Sequence, residues 1–322
     1  MNSFHQRMLD LSFPFYNRKD FTIQHRLGSG YIGEVFSGVL DIYGDEIDCV
    51  IKKVSSNDYH KGVKDREFYD DVIKEVDIGC RFMSKSDHQI QFYGYSTHKK
   101  GLTHSIYLLM EKTTAKGDFQ EYIYDDSFWL SLSEMEYNKS SSNTLLSHEG
   151  SYMDYIQPNK DKLNLIYQMC LAVQDLHSFH IVHCDLKPNN MLYTGSKVKL
   201  IDFNASQYMK HETVISGPVE MGTPGYMALE LYEGIISYQA DTYSVGVSML
   251  EIWFGDIWPR KSDDYNENHG YVKDYLSLLD KDHPELHKLV KVCVSTDYKK
   301  RPLIKEVLSN LDRILESQEI VE

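Results

Sequence analysis

The chain has 322 residues, 42% of them hydrophobic, and a formal net charge of −14. That length buries a substantial core, and so acidic a balance argues against nucleic acid or an anionic membrane as a bulk partner. Five scattered cysteines, odd in number and without a C-x-x-C pair, argue against a disulfide framework and suit reduced thiols in an intracellular compartment.

Residues 1–19 carry polar and charged side chains throughout and lack the unbroken apolar core of a signal peptide, so 1–20 reads as an N-terminal extension. Next comes Leu27-Gly28-Ser29-Gly30-Tyr31-Ile32-Gly33-Glu34-Val35. Glycines let a backbone hairpin approach phosphates without a Cβ clash and point its N–H groups at them. A dinucleotide-binding turn is the rival reading, with Asp48 about 20 positions beyond the first glycine. That rival needs a helix opening at the third glycine. Instead Val35, Ser37 and Val39 alternate with Phe36 and Gly38 as far as the turn-like Tyr43-Gly44-Asp45, which predicts two strands and a turn.

Cys49 to Val54 is a short apolar strand with Lys52 inside it, while Lys53 reads as a surface lysine. From about Lys64 to Met83, Phe68, Val72, Val76 and Gly79 recur at helical spacing. A lysine beside phosphates in a low-dielectric cleft needs an anionic partner, and this helix supplies the candidates Glu75 and Glu67. Ile106 to Glu111 is another strand. After Gly117-Asp118-Phe119 the run Asn138-Lys139-Ser140-Ser141-Ser142-Asn143 is polar and low in complexity, which predicts a surface loop. An amphipathic helix follows from about Leu163 to Phe179, with Leu165, Met169, Val173 and Leu176 on one face.

His183-Cys184-Asp185-Leu186-Lys187-Pro188-Asn189-Asn190 places a carboxylate, an ammonium and a carboxamide in one short loop. A carboxylate can align a hydroxyl and accept its proton, a lysine can hold a phosphoryl oxygen, and an amide oxygen can ligate Mg²⁺. Phosphoryl transfer needs those parts, because it is mostly positioning and charge neutralisation. The strand Val198 to Ile201 ends in Asp202-Phe203-Asn204. Tyr243 to Trp258 is apolar but broken by Glu251 and Asp256 and too short to span a bilayer, so it reads as a buried helix and the loop beyond it.

In this order the segments resemble the signatures of eukaryotic-type protein kinases, from about Phe21 to Leu311: glycine loop, strand lysine, catalytic loop, D-F-G and A-P-E. The resemblance implies an α+β, two-lobed fold over 21–318, with a strand-rich small lobe at 21–111 and a helical large lobe at 112–318. The segment at about 125–160 is then an insertion, with roughly 30 residues more than a minimal member needs. The implied ATP site comprises Leu27, Gly28, Gly30, Gly33, Val35, Lys52 on the α- and β-phosphates, and Glu75 holding Lys52. Met110 would be the gatekeeper, backbone groups from Glu111 to Thr113 would meet the adenine edge, and Leu192 completes the set. Asn190 and Asp202 would hold Mg²⁺ or Mn²⁺, Asp185 would orient the acceptor hydroxyl, and Lys187 would stabilise the transferring group. Glu230 would pair with Arg301, and Asp241 would support the catalytic loop from beneath.

Four positions depart from the pattern: Val50, Cys184 for arginine, Asn204 for glycine and Leu229 for proline. Asn204 is expected to stand in for glycine because asparagine tolerates left-handed backbone geometry. Cys184 carries no charge to bind a phosphorylated activation-loop residue, so basal activity is expected not to depend on phosphorylation at Thr213 or Ser216. Lys187, and Thr223 placed to meet it, point to serine/threonine transfer onto a protein substrate. Asp118, Glu121, Asp125 and Asp126 are candidates to read basic residues near the acceptor. The alternative is a pseudokinase, an ATP-binding or scaffolding module. A competing metal site would use His177, His180, His183 and Cys184. No nucleic-acid or membrane partner is expected, and the compartment is cytoplasmic or nuclear.

Overall fold

The computed structural model describes residues 2–29, 33–56, 65–82, 85–101, 103–115, 159–217, 222–255 and 265–319. The insertion expected at about 125–160 falls almost wholly outside the described residues. The chain divides into two compact units, one strand-rich and one helical, in keeping with the α+β reading. The first comprises Met1–Thr114, Asp175–His183 and Lys199–His211; the second comprises Ala115–Gln174, Cys184–Val198 and Glu212–Glu322.

Five antiparallel strands build the first unit: β1 (Phe21–Ser29), β2 (Glu34–Ile42), β3 (Asp45–Ser55), β4 (Phe92–Lys100) and β5 (Thr103–Glu111), in the order β1-β2-β3-β5-β4. The β2–β3 connection has two residues, Tyr43 and Gly44, both at positive φ (57° and 99°). That is the turn whose twist matches the flanking strands, and the Asp41 carboxylate accepts the Gly44 N–H at 2.6 Å. One face of the sheet carries a core of Phe21, Leu40, Cys49, Ile51, Tyr107 and Leu109. Because side chains alternate along a strand, Lys52 points to the other face. There α2 (Asp65–Phe82) buries Val72, Ile73, Val76 and Ile78. Gly79 lets α2 close on β4, since a Cβ there would lie 2.7 Å from the Phe92 ring.

The N-terminal residues also pack in this unit. Helix α1 (Asn2–Asp10) buries Phe4 and Met8. The Phe4 ring sits 5.0 Å from Tyr69 of α2 and 6.0 Å from Tyr95 of β4, and Arg7 pairs with Asp70. Beyond α1, Phe13 stacks on Tyr95 at 5.8 Å. Backbone bonds from Tyr16 N–H to Tyr95 O (2.9 Å) and from Tyr95 N–H to Pro14 O (2.8 Å) fasten the segment to β4. Each buried apolar side chain contributes about 1.5–3 kcal/mol, whereas the exposed Arg7–Asp70 pair contributes little.

Helix α3 (Asn159–Ser178) begins about one turn before the predicted Leu163, and its residues divide between the two units. In the first unit, Asp175 near its end accepts hydrogen bonds from Ser86 and, at 3.2 Å, from Gln89. Strand β6 (Ile181–Val182) pairs with the later strand at Gln207–Tyr208. Strands β7 (Met191–Tyr193) and β8 (Val198–Leu200) follow, then β9, the Gln207–Tyr208 strand just named. In the second unit β10 (Val214–Ser216) runs antiparallel to β11 (Ile235–Ser237), with the short α4 (Leu229–Tyr232) between them in sequence. Helices α5 (Tyr238–Phe254), α6 (Tyr265–Asp282), α7 (Pro284–Cys293) and α8 (Ile304–Glu319) complete it. Every residue of α5 from Ala240 to Trp253 is buried, as an apolar helix at the centre of a unit must be. Among the described residues no helix is long and apolar enough to cross a membrane.

Candidate active site

Two groups of the expected residues come together, each inside one unit. In the first unit, β3 delivers Lys52 to the face that α2 covers, and α2 places Glu75 opposite it. The Lys52 ammonium donates to both Glu75 oxygens, at 2.8 and 3.0 Å, and to Asp202 Oδ1 at 3.1 Å. Lys52 and Glu75 are almost fully buried, with side chains 6% and 2% exposed. Burial opposes the Lys52 charge, but Asp202 and Glu75 outweigh it and hold the pKa above the ordinary lysine value. For Glu75 burial outweighs the attraction of Lys52, and nearby Asp202 adds to it, so its pKa is raised. The lysine is therefore a fixed cation with two carboxylates on it. Lys53, by contrast, pairs with Glu34 at 3.6 Å.

Asp202 adopts φ 62°, a left-handed conformation that a non-glycine residue holds only when its surroundings impose it. Here the expectation for Asn204 is corrected. Asn204 is not among the positive-φ residues; the left-handed residue is Asp202 itself. The Asn204 side chain instead donates to Asp202 Oδ1. Between them Phe203 is fully buried, 4.9 Å from the Phe82 ring and 5.5 Å from His183. His183 is buried too, with its Nε2 3.1 Å from the Ile201 carbonyl, and serves as a packed structural residue. Among the described residues no cluster of His, Cys, Asp and Glu is arranged to hold a metal, which removes the histidine–cysteine reading.

Of the glycine loop, Leu27 and Gly28 lie at the end of β1, with Gly28 opposite Val35 in β2, and Val35 in turn opposite Lys52. Gly30 lies outside the described residues. Gly33 has φ +98°, and a Cβ there would lie 2.3 Å from the Lys53 carbonyl oxygen. The third glycine is thus required by the sheet itself, apart from any phosphate. At the end of β5, the Glu111 N–H is committed to the Gln91 carbonyl at 2.9 Å. Its carboxylate accepts the Gln91 N–H at 3.0 Å and pairs with Lys199 at 2.7 Å. Gln91 as the anchor of this strand end was not visible in the sequence, because nothing local marks it.

The second unit holds the other group. Cys184 sits at φ 65°, pinned by its N–H to Asp241 Oδ1 at 3.0 Å, with Asp241 fully buried in the first turn of α5. Pro188, whose fixed φ suits the first position of a helical turn, opens a single turn through Asn190. That turn folds the Asn190 carboxamide back, so that its N–H₂ donates to the Asp185 carboxylate and to the Asp185 carbonyl, both at 2.8 Å. Lys187 pairs with Asp185 Oδ2 at 3.2 Å and donates to Thr223 Oγ1, whose hydroxyl donates to Asp185 Oδ1 at 2.7 Å. Asp185 is thereby fixed on both oxygens. Leu192 lies in β7, half-buried. Arg301 and Glu230 form a buried two-pronged pair at 2.6 and 3.0 Å. Asp118, Glu121, Asp125 and Asp126 lie outside the described residues.

Cys49, Cys80, Cys170, Cys184 and Cys293 are all free. Burial pushes the Cys49 and Cys80 thiols up to about 11, Cys293 to about 12 and Cys170 well above the usual value.

A family model of the protein kinase domain matches residues 21–311. The serine/threonine-protein kinase MPS1 of Encephalitozoon cuniculi is 27% identical over 190 residues, 55% of this chain and 30% of that protein. The dual specificity protein kinase pyk3 of Dictyostelium discoideum is 29% identical over 174 residues, 51% of this chain and 13% of that one. The fibroblast growth factor receptor of Halocynthia roretzi is 26% identical over 334 residues, 95% of this chain and 40% of the receptor. The chain spans about half or less of the length of the relatives it matches.

Proposed function

Because this chain belongs to the protein kinase domain family, we propose that it transfers the γ-phosphoryl group of ATP to serine and threonine hydroxyls of proteins. The observation that carries this reading is the Asp185 carboxylate, held by Thr223 and Asn190 with the Lys187 ammonium 3.2 Å away. A scaffold that only binds nucleotide has no use for a carboxylate so arranged; an acceptor hydroxyl does.

Asp185 orients that hydroxyl and takes its proton, and Lys187 carries positive charge to the phosphoryl oxygens. Lys52, held by Glu75 and Asp202, presents a fixed ammonium to the α- and β-phosphates. With its nitrogen committed to Asp185, Asn190 offers its oxygen to a cation, and Asp202 offers a carboxylate. Each is a hard oxygen ligand of the kind that Mg²⁺ or Mn²⁺ takes. When bound, the ion would neutralise charge between the β- and γ-phosphates. Leu27, Gly28, Gly30, Gly33 and Val35 cover the nucleotide, with Leu192 and the backbone near Glu111 completing its site.

Serine/threonine choice rests on Lys187, two residues past Asp185 and tied to Thr223. Phosphoamino-acid analysis of a labelled mixed protein substrate is expected to give phosphoserine and phosphothreonine; label confined to phosphotyrosine would contradict that choice.

Strand β10 pairs with β11 from Val214↔Ser237 to Ser216↔Ile235, and the Gly217 N–H bonds the Gly234 carbonyl at 3.0 Å. Cys184, buried and uncharged, offers no counterion to a phosphoryl group there. Thr213 and Ser216 are exposed, and the Thr213→Ala/Ser216→Ala double variant is expected to keep its basal rate. A loss of about tenfold or more, some 1.4 kcal/mol, would show that this loop needs its phosphate after all.

A further inference from the structure

We propose that Asn204 is a positioning residue for the metal-binding carboxylate of Asp202, holding it in one orientation before the cation arrives. The inference rests on the reading of Asp202 as a metal ligand. Two donors meet on Asp202 Oδ1: the Lys52 ammonium at 3.1 Å and the Asn204 carboxamide N–H. The ammonium is a compact charge on a flexible stem. It sets how near the carboxylate lies but leaves it free to rotate. A carboxamide is planar, and this one is buried, 6% exposed, so its N–H has a fixed direction. The two donors together fix the plane of the carboxylate. They also hold Asp202 at its left-handed φ of 62°, a conformation worth about 1–3 kcal/mol of strain that its surroundings must overcome.

The same side chain does little for folding. Asn204 Oδ1 is buried and has no hydrogen-bond partner among the described residues. Leaving such an oxygen without a partner costs about 1–3 kcal/mol, and a hydrogen bond to a charged carboxylate returns about 1.5–3 kcal/mol. The exchange is close to neutral, so what Asn204 contributes is orientation. A glycine in its place would supply neither donor nor cost. Carboxylates that ligate metals are commonly oriented by such partners, whose loss weakens metal binding by about 10- to 100-fold.

The test is Mn²⁺ binding to the full chain, titrated by electron paramagnetic resonance with a non-hydrolysable ATP analogue present. Asn204→Ala removes the donor and keeps an ordinary backbone, which position 204 accepts because its φ is not positive. It is expected to raise the Mn²⁺ dissociation constant about 10- to 100-fold, while affinity for the analogue without metal stays as in the natural chain. Asn204→Gly is the second variant and should behave the same way. If only the glycine variant weakened binding, backbone stiffness would be the cause and the proposal would fall. An unchanged or tighter dissociation constant in Asn204→Ala would also overturn it. Asp202→Ala separates the two levels: loss of Mn²⁺ binding there, with none in Asn204→Ala, sinks the role of Asn204 alone. No loss in Asp202→Ala would sink the metal site itself.

Discussion

Asp185→Asn is expected to leave a folded protein that has lost about 10²–10⁴-fold in turnover, roughly 3–5 kcal/mol of barrier. Asparagine has the same shape, so the loop can still form. It cannot accept a proton, and its N–H₂ cannot take the place of the oxygen that faces the Asn190 and Lys187 donors. Thr223 donates to one oxygen of Asp185, and Asn190 donates to the other, where the Lys187 ammonium also lies. Turned toward Asn190 and Lys187, the amide N–H₂ faces two donors, at a stability cost of about 1–3 kcal/mol; turned toward Thr223, it can donate to a hydroxyl that reverses its own bond. Initial rates of phosphate transfer, with unfolding curves for both proteins, check the prediction. Equal rates in the two would remove Asp185 from the mechanism.

The largest stability loss is expected at Arg301. Its guanidinium is fully buried and makes four hydrogen bonds: two to Glu230, one to the Ser295 carbonyl at 2.7 Å and one to the Gln239 carbonyl at 3.0 Å. It also lies 4.9 Å from the centre of the Tyr243 ring. Arg301→Met fills much of the volume but strands the Glu230 carboxylate in the interior. Breaking a buried pair on one side costs about 3–5 kcal/mol. Removing both charges with Arg301→Met and Glu230→Leu should recover part of that loss, since the stranded charge is the main penalty. Lys288→Ala is the control: its pair with Glu285 is 68% and 61% exposed, and such pairs contribute little to stability. Denaturant unfolding measures all three. A loss at Arg301 no larger than the control would show that the pair is not what braces this unit.

Much of this arrangement was legible in the sequence because the features that specify it are local. The alternation through Val35, Ser37 and Val39 and the Tyr43-Gly44 turn specify the hairpin that presents Lys52. The helical spacing of Val72 and Val76 places Glu75 on the same face of its helix that meets the sheet. The loop from His183 to Asn190 folds on itself through Pro188, so residues close in sequence there are also close in space. What escaped the sequence depends on distant contacts. Helix α1 shows only Phe4 and Met8 as buried apolar positions, too few to announce a helix before Tyr69 and Tyr95 are known to receive them. The first turn of α3 is polar and was read as loop; Lys162 is held there by the Trp253 carbonyl, 91 residues away. For Asn204 the sequence points to the backbone, since asparagine tolerates glycine-like geometry, whereas the contact that forms is from its side chain to Asp202. Gln91 and Asp175 bond to partners that no spacing rule connects to them.

The proposed function requires turnover: a chain that catalyses transfer and does not merely bind nucleotide. The most direct measurement incubates the purified chain with γ-labelled ATP, Mg²⁺ and a generic basic protein, and counts phosphates transferred per chain over time. The expected result is many phosphates per chain on serine and threonine, abolished by chelating the metal. A folded chain that binds ATP yet transfers none would contradict the claim and make the protein a nucleotide-binding scaffold.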